Sequence, residues 1–102
     1  MTLDEIQKAV YENKVAKGFN VTNIDKEFCM TYGELAEAHE AYRKKWDTLG
    51  EELADVAIYL LGMSEILGIS LHEEIEKKIV INANRVYKDV DGVLIKQESF
   101  ET

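Results

Sequence analysis

Apolar residues recur at helical spacing through most of the chain and are interrupted at three places. Gly18-Phe19-Asn20, the Asp47-Thr48 junction and Gly68 separate four periodic segments, near 2–17, 23–46, 49–67 and 70–87. Each segment opens on a hydroxyl followed three residues later by an acid: Thr2/Glu5, Thr22/Asp25, Thr48/Glu51 and Ser70/Glu73. In that arrangement the hydroxyl accepts from a free backbone N–H and the acid caps back. One match is weak, but four matches at four segment starts are not. Proline is absent throughout. The pattern predicts an all-α fold, one domain over residues 1–102 with a four-helix bundle-like core. The tail, 88–102, carries Asp91-Gly92 between Val90 and Val93-Leu94-Ile95. That pattern fits a small hairpin or an irregular end.

The second and third segments depart from simple amphipathicity. In the second, Phe28, Tyr32, Leu35, His39, Tyr42 and Trp46 follow a 4-3-4-3-4 spacing and make an aromatic-rich stripe. Glu34 and Glu37 fall on roughly the opposite side, near Met30 and Ala41. They form either a solvated face or a covered face turned toward the third helix, with the stripe then packed elsewhere or on a second subunit. Gly33, Ala36, Ala38 and Ala41 are small enough for close helix approach. In the third segment Leu53, Val56, Leu60, Met63 and Leu67 form one stripe, while Ala54, Ala57, Ile58 and Leu61 make the other side apolar too. A helix apolar all round is expected to be a buried central one.

The chemistry lies in two acidic pairs, Glu34-Leu-Ala-Glu37 and Glu52-Leu-Ala-Asp55. Spacing i, i+3 points both carboxylates of a pair from one helix face, where like charges repel. No lysine or arginine lies inside either motif. Four oxygen ligands brought together suit a hard divalent cation, Mg²⁺ or Mn²⁺, better than zinc or iron. For Glu51 an exposed helix start is the favoured reading, because negative charge suits that end of the dipole. For Asp55, a full turn deeper in an apolar helix, a cation that offsets the cost of burial is favoured.

Lys78, Asn82 and Arg85 share a face of the fourth helix at i, i+4, i+7. They make a grip for phosphate and sugar or a solvated basic face at a helix end. Lys14, Lys17 and Phe19 around the exit of the first helix are similarly ambiguous. Other chemistries lack their residues. His39 and His72 have no acid three positions earlier, as a di-iron bundle needs. There is no Cys/His zinc set, no glycine-rich phosphate loop and no calcium loop.

The chain has 102 residues, 46 % hydrophobic, and a formal net charge of −8. Its hydrophobic content is that of a globular domain, and so small a core makes association plausible. The charge disfavours nucleic-acid polymers and anionic membranes. It would also repel an anionic substrate unless bound metal reversed the local sign. A single cysteine, Cys29, allows no internal disulfide. With no apolar leader at the N-terminus and no apolar run long enough to span a bilayer, the expected setting is cytoplasmic.

The paired acids across a short gap resemble the signature of the MazG-like, all-α nucleoside triphosphate pyrophosphohydrolases. Gly33-Glu-Leu-Ala-Glu-Ala-His-Glu-Ala41 is similar to the family's first metal helix and Glu51-Glu-Leu-Ala-Asp-Val-Ala-Ile-Tyr-Leu60 to its second. Lys78-x-x-x-Asn82-x-x-Arg85-x-Tyr87 and the Lys17-Gly-Phe19 exit also fit, so the likeness spans roughly residues 10–88. It is to the compact, single-domain branch. It implies hydrolysis of a (deoxy)nucleoside triphosphate to monophosphate and pyrophosphate in nucleotide-pool house-cleaning. It implies Mg²⁺ held by Glu34, Glu37, Glu52 and Asp55, which would form the catalytic centre. Lys78, Asn82 and Arg85 would contact phosphates or sugar, with Lys14 and Lys17 as further candidates. Phe19, Tyr42 or Trp46 would stack on the base, and the protein would be a homodimer or homotetramer. One of the four acids, or Glu40, would serve as general base. A non-enzymatic acidic module that dimerises through its aromatic stripe, or a metal-sensing bundle, fits charge and periodicity as well. The interaction module leaves Glu52 and Asp55 and the Lys78/Asn82/Arg85 line unexplained.

Overall fold

The computed structural model describes residues 1–97 and is all-α apart from one hairpin. Its elements are α1 (Leu3–Ala16), α2 (Ile24–Arg43), α3 (Leu49–Ile66), α4 (Leu71–Asn84), β1 (Tyr87–Val90) and β2 (Val93–Lys96). All four expected helices are present, with ends shifted by at most three residues. The last residues of the tail, 98–102, lie outside the described ones.

The helix ends show which local signals act. Thr2 and Glu5 form the reciprocal box: Thr2 Oγ1 accepts from Glu5 N at 3.1 Å, and Glu5 accepts from Thr2 N at 2.9 Å. At α2 the expected Thr22 gives way to Asn23, whose side chain accepts from Lys26 N at 3.1 Å. Asparagine is the stronger cap, and Asn20 behind it organises the turn by accepting from Asn23 N at 3.1 Å. Thr48 precedes α3 without a side-chain cap bond. Three helices end alike. Phe19 N donates to Lys14 O, Trp46 N to Ala41 O and Ile69 N to Ser64 O, each at 2.9 Å. Each preceding residue has positive φ: Gly18, Lys45 and Gly68.

Met1–Leu71 forms one compact unit. In it α3 packs against both α1 and α2. Gly62 of α3 allows α1 close, since a Cβ there would meet Lys14 Cδ at 3.3 Å and Val10 Cγ1 at 3.4 Å. On α2 the buried positions are Glu27, Thr31, Ala38 and Ala41. The aromatic stripe is the exposed face, with Tyr32 at 65 % and Tyr42 at 67 % exposure. Of the small residues, Ala38 and Ala41 serve close approach, while Gly33 faces open space. The expectation of a buried α3 is corrected: Leu53, Ile58, Leu60 and Leu67 are all exposed. Two neighbouring helices cover two stripes of a cylinder and leave the rest of its circumference bare.

Polar residues take part in the interior. The Lys14 ammonium pairs with the Glu27 carboxylate, joining α1 to α2. Gln7 joins α1 to the turn after α3, donating to Ile69 O at 2.7 Å and Glu65 Oε1 at 3.0 Å and accepting from Leu71 N. Among the described residues no single helix is long and apolar enough to cross a bilayer.

The second unit begins at His72 and holds most of α4 and the hairpin. No residue of α4 is buried. The hairpin pairs Val90 with Val93 and Tyr87 with Lys96. Asp91 and Gly92 both have positive φ, the two-residue turn that Asp-Gly favours, and Asp89 accepts from Gly92 N at 2.8 Å.

Removing one partner of a buried ion pair strands the other, so Glu27→Ala is expected to cost about 3–5 kcal/mol. Denaturant unfolding of parent and variant checks this. A loss below 1 kcal/mol would mean that the Lys14 ammonium reaches water without the carboxylate.

Candidate metal centre

The second turn of α2's central stretch and the first turns of α3 carry the acids. Ala38 and Ala41 let α2 lie close to α3, and the helical repeat brings Glu34 and Glu37 round to the same side. The short connection after Trp46 returns the chain as α3, whose first turn holds Glu52. Glu34, Glu37 and Glu52 each place a carboxylate oxygen within 4.8 Å of the others. Asp55 lies outside this tight group, yet its charge acts on Glu34 more strongly than that of Glu52.

The deeper carboxylate is not the expected one. Asp55 is exposed and Glu52 half-buried, whereas Glu34 Oε2 is buried without a hydrogen-bonding partner. Burial pushes the Glu34 carboxyl above its ordinary value; the charges of Glu37 and Asp55 add to this. A hydrogen bond with Glu37 and the charge of Glu52 act in the same direction. The bond to Glu37 exists only while one of the two acids carries a proton. A buried acceptor without a donor costs free energy, and a cation at that point would relieve it. The donors are all oxygen, so the set fits Mg²⁺ or Mn²⁺.

Tyr59 stands one turn beyond Asp55 and is half-buried. Burial raises its phenol pKa, and the charges of Glu34, Glu27, Asp55 and Glu37 reinforce the effect. The hydroxyl therefore stays protonated, a donor beside a group of acceptors. Tyr59 also lines a cavity of about 380 Å³ between α1 and α3, with Val10, Asn13, Lys14, Phe19 and Ile58. A second cavity of about 300 Å³ shares Lys14, Phe19 and Tyr59 and adds Asn20, Lys26 and Met30.

The remaining expected residues scatter. Phe19 lines both cavities. Lys14 does too, but it is buried and held by Glu27 rather than presented freely. Lys17 is the exposed cap of α1. Trp46 lies past the end of α2 under the Lys44 ammonium, 5.2 Å from the ring centre. Tyr42 lines a separate apolar groove with Tyr32, Leu35, His39, Leu49 and Leu53. Glu40 pairs with Lys44 at 2.6 Å, which holds its carboxyl below the usual range and makes it a poor base. Lys78 and Asn82 are exposed on α4 and Arg85 follows it, all in the second unit. Sequence reasoning passed over Tyr59, Asn13 and Glu27. For Tyr59 a signal existed, since it sits at i+4 from Asp55 and therefore on the acidic side of α3.

The Glu34 shift has a definite pH signature in chelator. Its folded pKa lies above the unfolded value of about 4.3, so its stabilising contribution is complete below that value and is lost as pH rises through the folded pKa. Glu34→Gln removes that loss. Metal-free melts of the variant are expected to decline less from pH 4 to pH 7 than those of the parent. Parallel pH curves would show that Glu34 is not under strain.

Neither protein-family models, nor curated proteins, nor solved structures yield a match to this chain.

Proposed function

We propose that this chain is a hydrolase that converts (deoxy)nucleoside triphosphates to the monophosphate and pyrophosphate with Mg²⁺, Mn²⁺ serving as a substitute, in cytoplasmic nucleotide-pool house-cleaning. The observation that carries the reading is the meeting of Glu34, Glu37 and Glu52 at one point, with the charges of Glu34, Asp55 and Glu37 acting on Tyr59, which lines a ligand-sized cavity. Glu34, Glu37 and Glu52 would hold the cation, and Asp55 would complete the set. When bound, the ion supplies charge neutralisation and Lewis-acid polarisation of a phosphoryl oxygen.

The chain's own residues divide the remaining work. One of the four acids would accept a proton from the attacking water. The Tyr59 hydroxyl, kept protonated, donates to a phosphate or sugar oxygen. Phe19 and Tyr59 offer aromatic surface to a base in the larger cavity, where the Asn13 amide can both donate and accept. Lys17, exposed at the end of α1, is proposed on the family resemblance alone as a further phosphate contact. Lys78, Asn82 and Arg85 are proposed, on the family resemblance alone, as the grip for phosphate and sugar.

A second reading draws on the bare aromatic stripe. A small protein rarely leaves so much contiguous apolar surface open, so a partner is expected there. A homodimer or homotetramer serves both readings; a protein-interaction module without catalysis needs only the partner.

Product analysis decides between them. With Mg²⁺ and a panel of NTPs and dNTPs, monophosphate and pyrophosphate are expected in equal amounts. Orthophosphate as the first product, or no turnover with any nucleotide, would refute the hydrolase. Asp55→Asn is expected to lower kcat/KM by roughly a hundredfold or more, and to reduce the thermal shift that Mg²⁺ produces. An Mg²⁺ shift equal to the parent's would remove Asp55 from the site.

Assembly has its own check. Sedimentation of the parent at micromolar concentration is expected to show a dimer or larger, and Tyr42→Glu to shift it toward monomer. A monomeric parent would show that the stripe has no second copy on it.

A further inference from the structure

Glu27 is 1 % exposed and Lys14 9 %, which makes theirs the most buried charges in the first unit. Apolar side chains of similar volume would hold two helices as well or better, so stability alone does not account for an ion pair here. The surroundings offer another use for the ammonium. Lys14 lines the larger cavity and the smaller one, and Phe19 and Tyr59 line both with it. Its Nζ lies 5.5 Å from the Tyr59 ring centre. Tyr59 in turn is within electrostatic reach of Glu34, Glu27, Asp55 and Glu37. One cation thus lines both cavities, over the ring of a tyrosine that feels the charges of the acidic cluster.

Its placement is built from several directions. Gly62 leaves room for the Lys14 side chain, whose Cδ would be 3.3 Å from any Cβ there. The Glu27 carboxylate accepts from Lys14 through Oε1 and from Asn20 Nδ2 through Oε2, the latter at 3.2 Å. Asn20 is itself tied to the α1–α2 turn by donating to Asn23 O at 2.8 Å. An ammonium has three N–H donors, and Glu27 takes one.

We infer that Glu27, backed by Asn20, is a positioning residue that holds the Lys14 ammonium in the wall shared by the two cavities, beside Tyr59, as the fixed cation that receives an anionic phosphate chain. The inference rests on the triphosphate reading above. It assigns a role to two residues, Glu27 and Asn20, outside the acidic motifs. Without such a cation, a phosphate chain entering beside four carboxylates would have to rely on metal alone for neutralisation.

The test pairs a charge-free replacement with binding of a simple probe. Lys14→Met/Glu27→Leu keeps the volume and removes both charges, so its melting temperature is expected to be no lower than the parent's. Titration with Mn²⁺ is expected to give affinities within about threefold of each other, because the acids are untouched. Titration with inorganic triphosphate in Mg²⁺ is expected to be weaker in the double variant by about tenfold or more, the loss of one charge-assisted hydrogen bond. Lys14→Arg, which keeps the charge, should recover most of that affinity. Equal triphosphate affinity in parent and double variant would overturn the inference and leave the triphosphate reading intact. A parent that binds Mn²⁺ but no triphosphate would overturn both. Should the double variant not fold, the unmutated protein decides. The Lys14 side-chain NMR signal is expected to move on adding Mg²⁺ with inorganic triphosphate and to stay in place with Mg²⁺ alone. A signal that does not move with triphosphate overturns the inference.

Discussion

An ammonium and a carboxylate withdrawn from water together, those of Lys14 and Glu27, tie α1 to α2 while both helices pack on α3. Each charge needs the other, because either one alone in that position would bear the full penalty of burial. The pair therefore sets where α1 ends relative to α2, and with it where Phe19, Asn20 and the turn between the helices lie. Gly62 admits the lysine side chain from below, and Asn20 steadies the glutamate from the side. The walls of both cavities beside Tyr59 follow from this arrangement.

The acidic cluster works in the opposite sense. Glu34, Glu37 and Glu52 converge although they repel, and Glu34 also lacks a donor for its buried oxygen. Folding brings these groups together through the packing of Ala38 and Ala41, which supply the close approach of α2 to α3. A fold that concentrates like charges at one point stores unfavourable energy there. Such strain would be relieved by binding of a charge of opposite sign, which supports the proposed metal site. Burial first, and the neighbouring acids second, raise the proton affinity of Glu34 and keep the Tyr59 phenol protonated.

The core of the first unit is modest. Ala38, Ala41, Leu61 and Met63 are buried, with Gln7, Lys14, Glu27, Thr31 and Ser64 among them. Thr31 and Ser64 satisfy their hydroxyls on the carbonyls four residues back, Glu27 O at 2.7 Å and Leu60 O at 2.8 Å. Gln7 satisfies its amide at the turn after α3. This polar interior costs little because its members are paired. Apolar residues that an isolated bundle would bury stay outside: Leu53 and Leu60 on α3, Tyr32 and Tyr42 on α2. In the second unit the hairpin likewise shows Val93 and Leu94 to solvent.

Local chemistry made the elements legible. The Thr2/Glu5 box and the glycines at positions 18 and 68 act over a few residues, so they appear in the structure where the chain's pattern places them, while the Asp-Gly turn settles the tail, which the pattern left open, as a hairpin. The acidic pairs were legible for the same reason, since i, i+3 spacing on a helix needs no tertiary information. The orientation of α2 was not. Periodicity assigns residues to faces, and α2 has two candidate faces, one aromatic and one acidic; the small residues Ala38 and Ala41 decided it by letting the acidic side come close to α3. The depth of each acid was likewise a tertiary outcome, because two neighbours cannot surround α3. Asp55 therefore stays exposed, and Glu34 is half-buried with its Oε2 out of reach of water. The pairing of Lys14 with Glu27 lay beyond the sequence for the plainest reason. A lysine on one helix and a glutamate on the next are ordinary surface residues until packing removes the water between them.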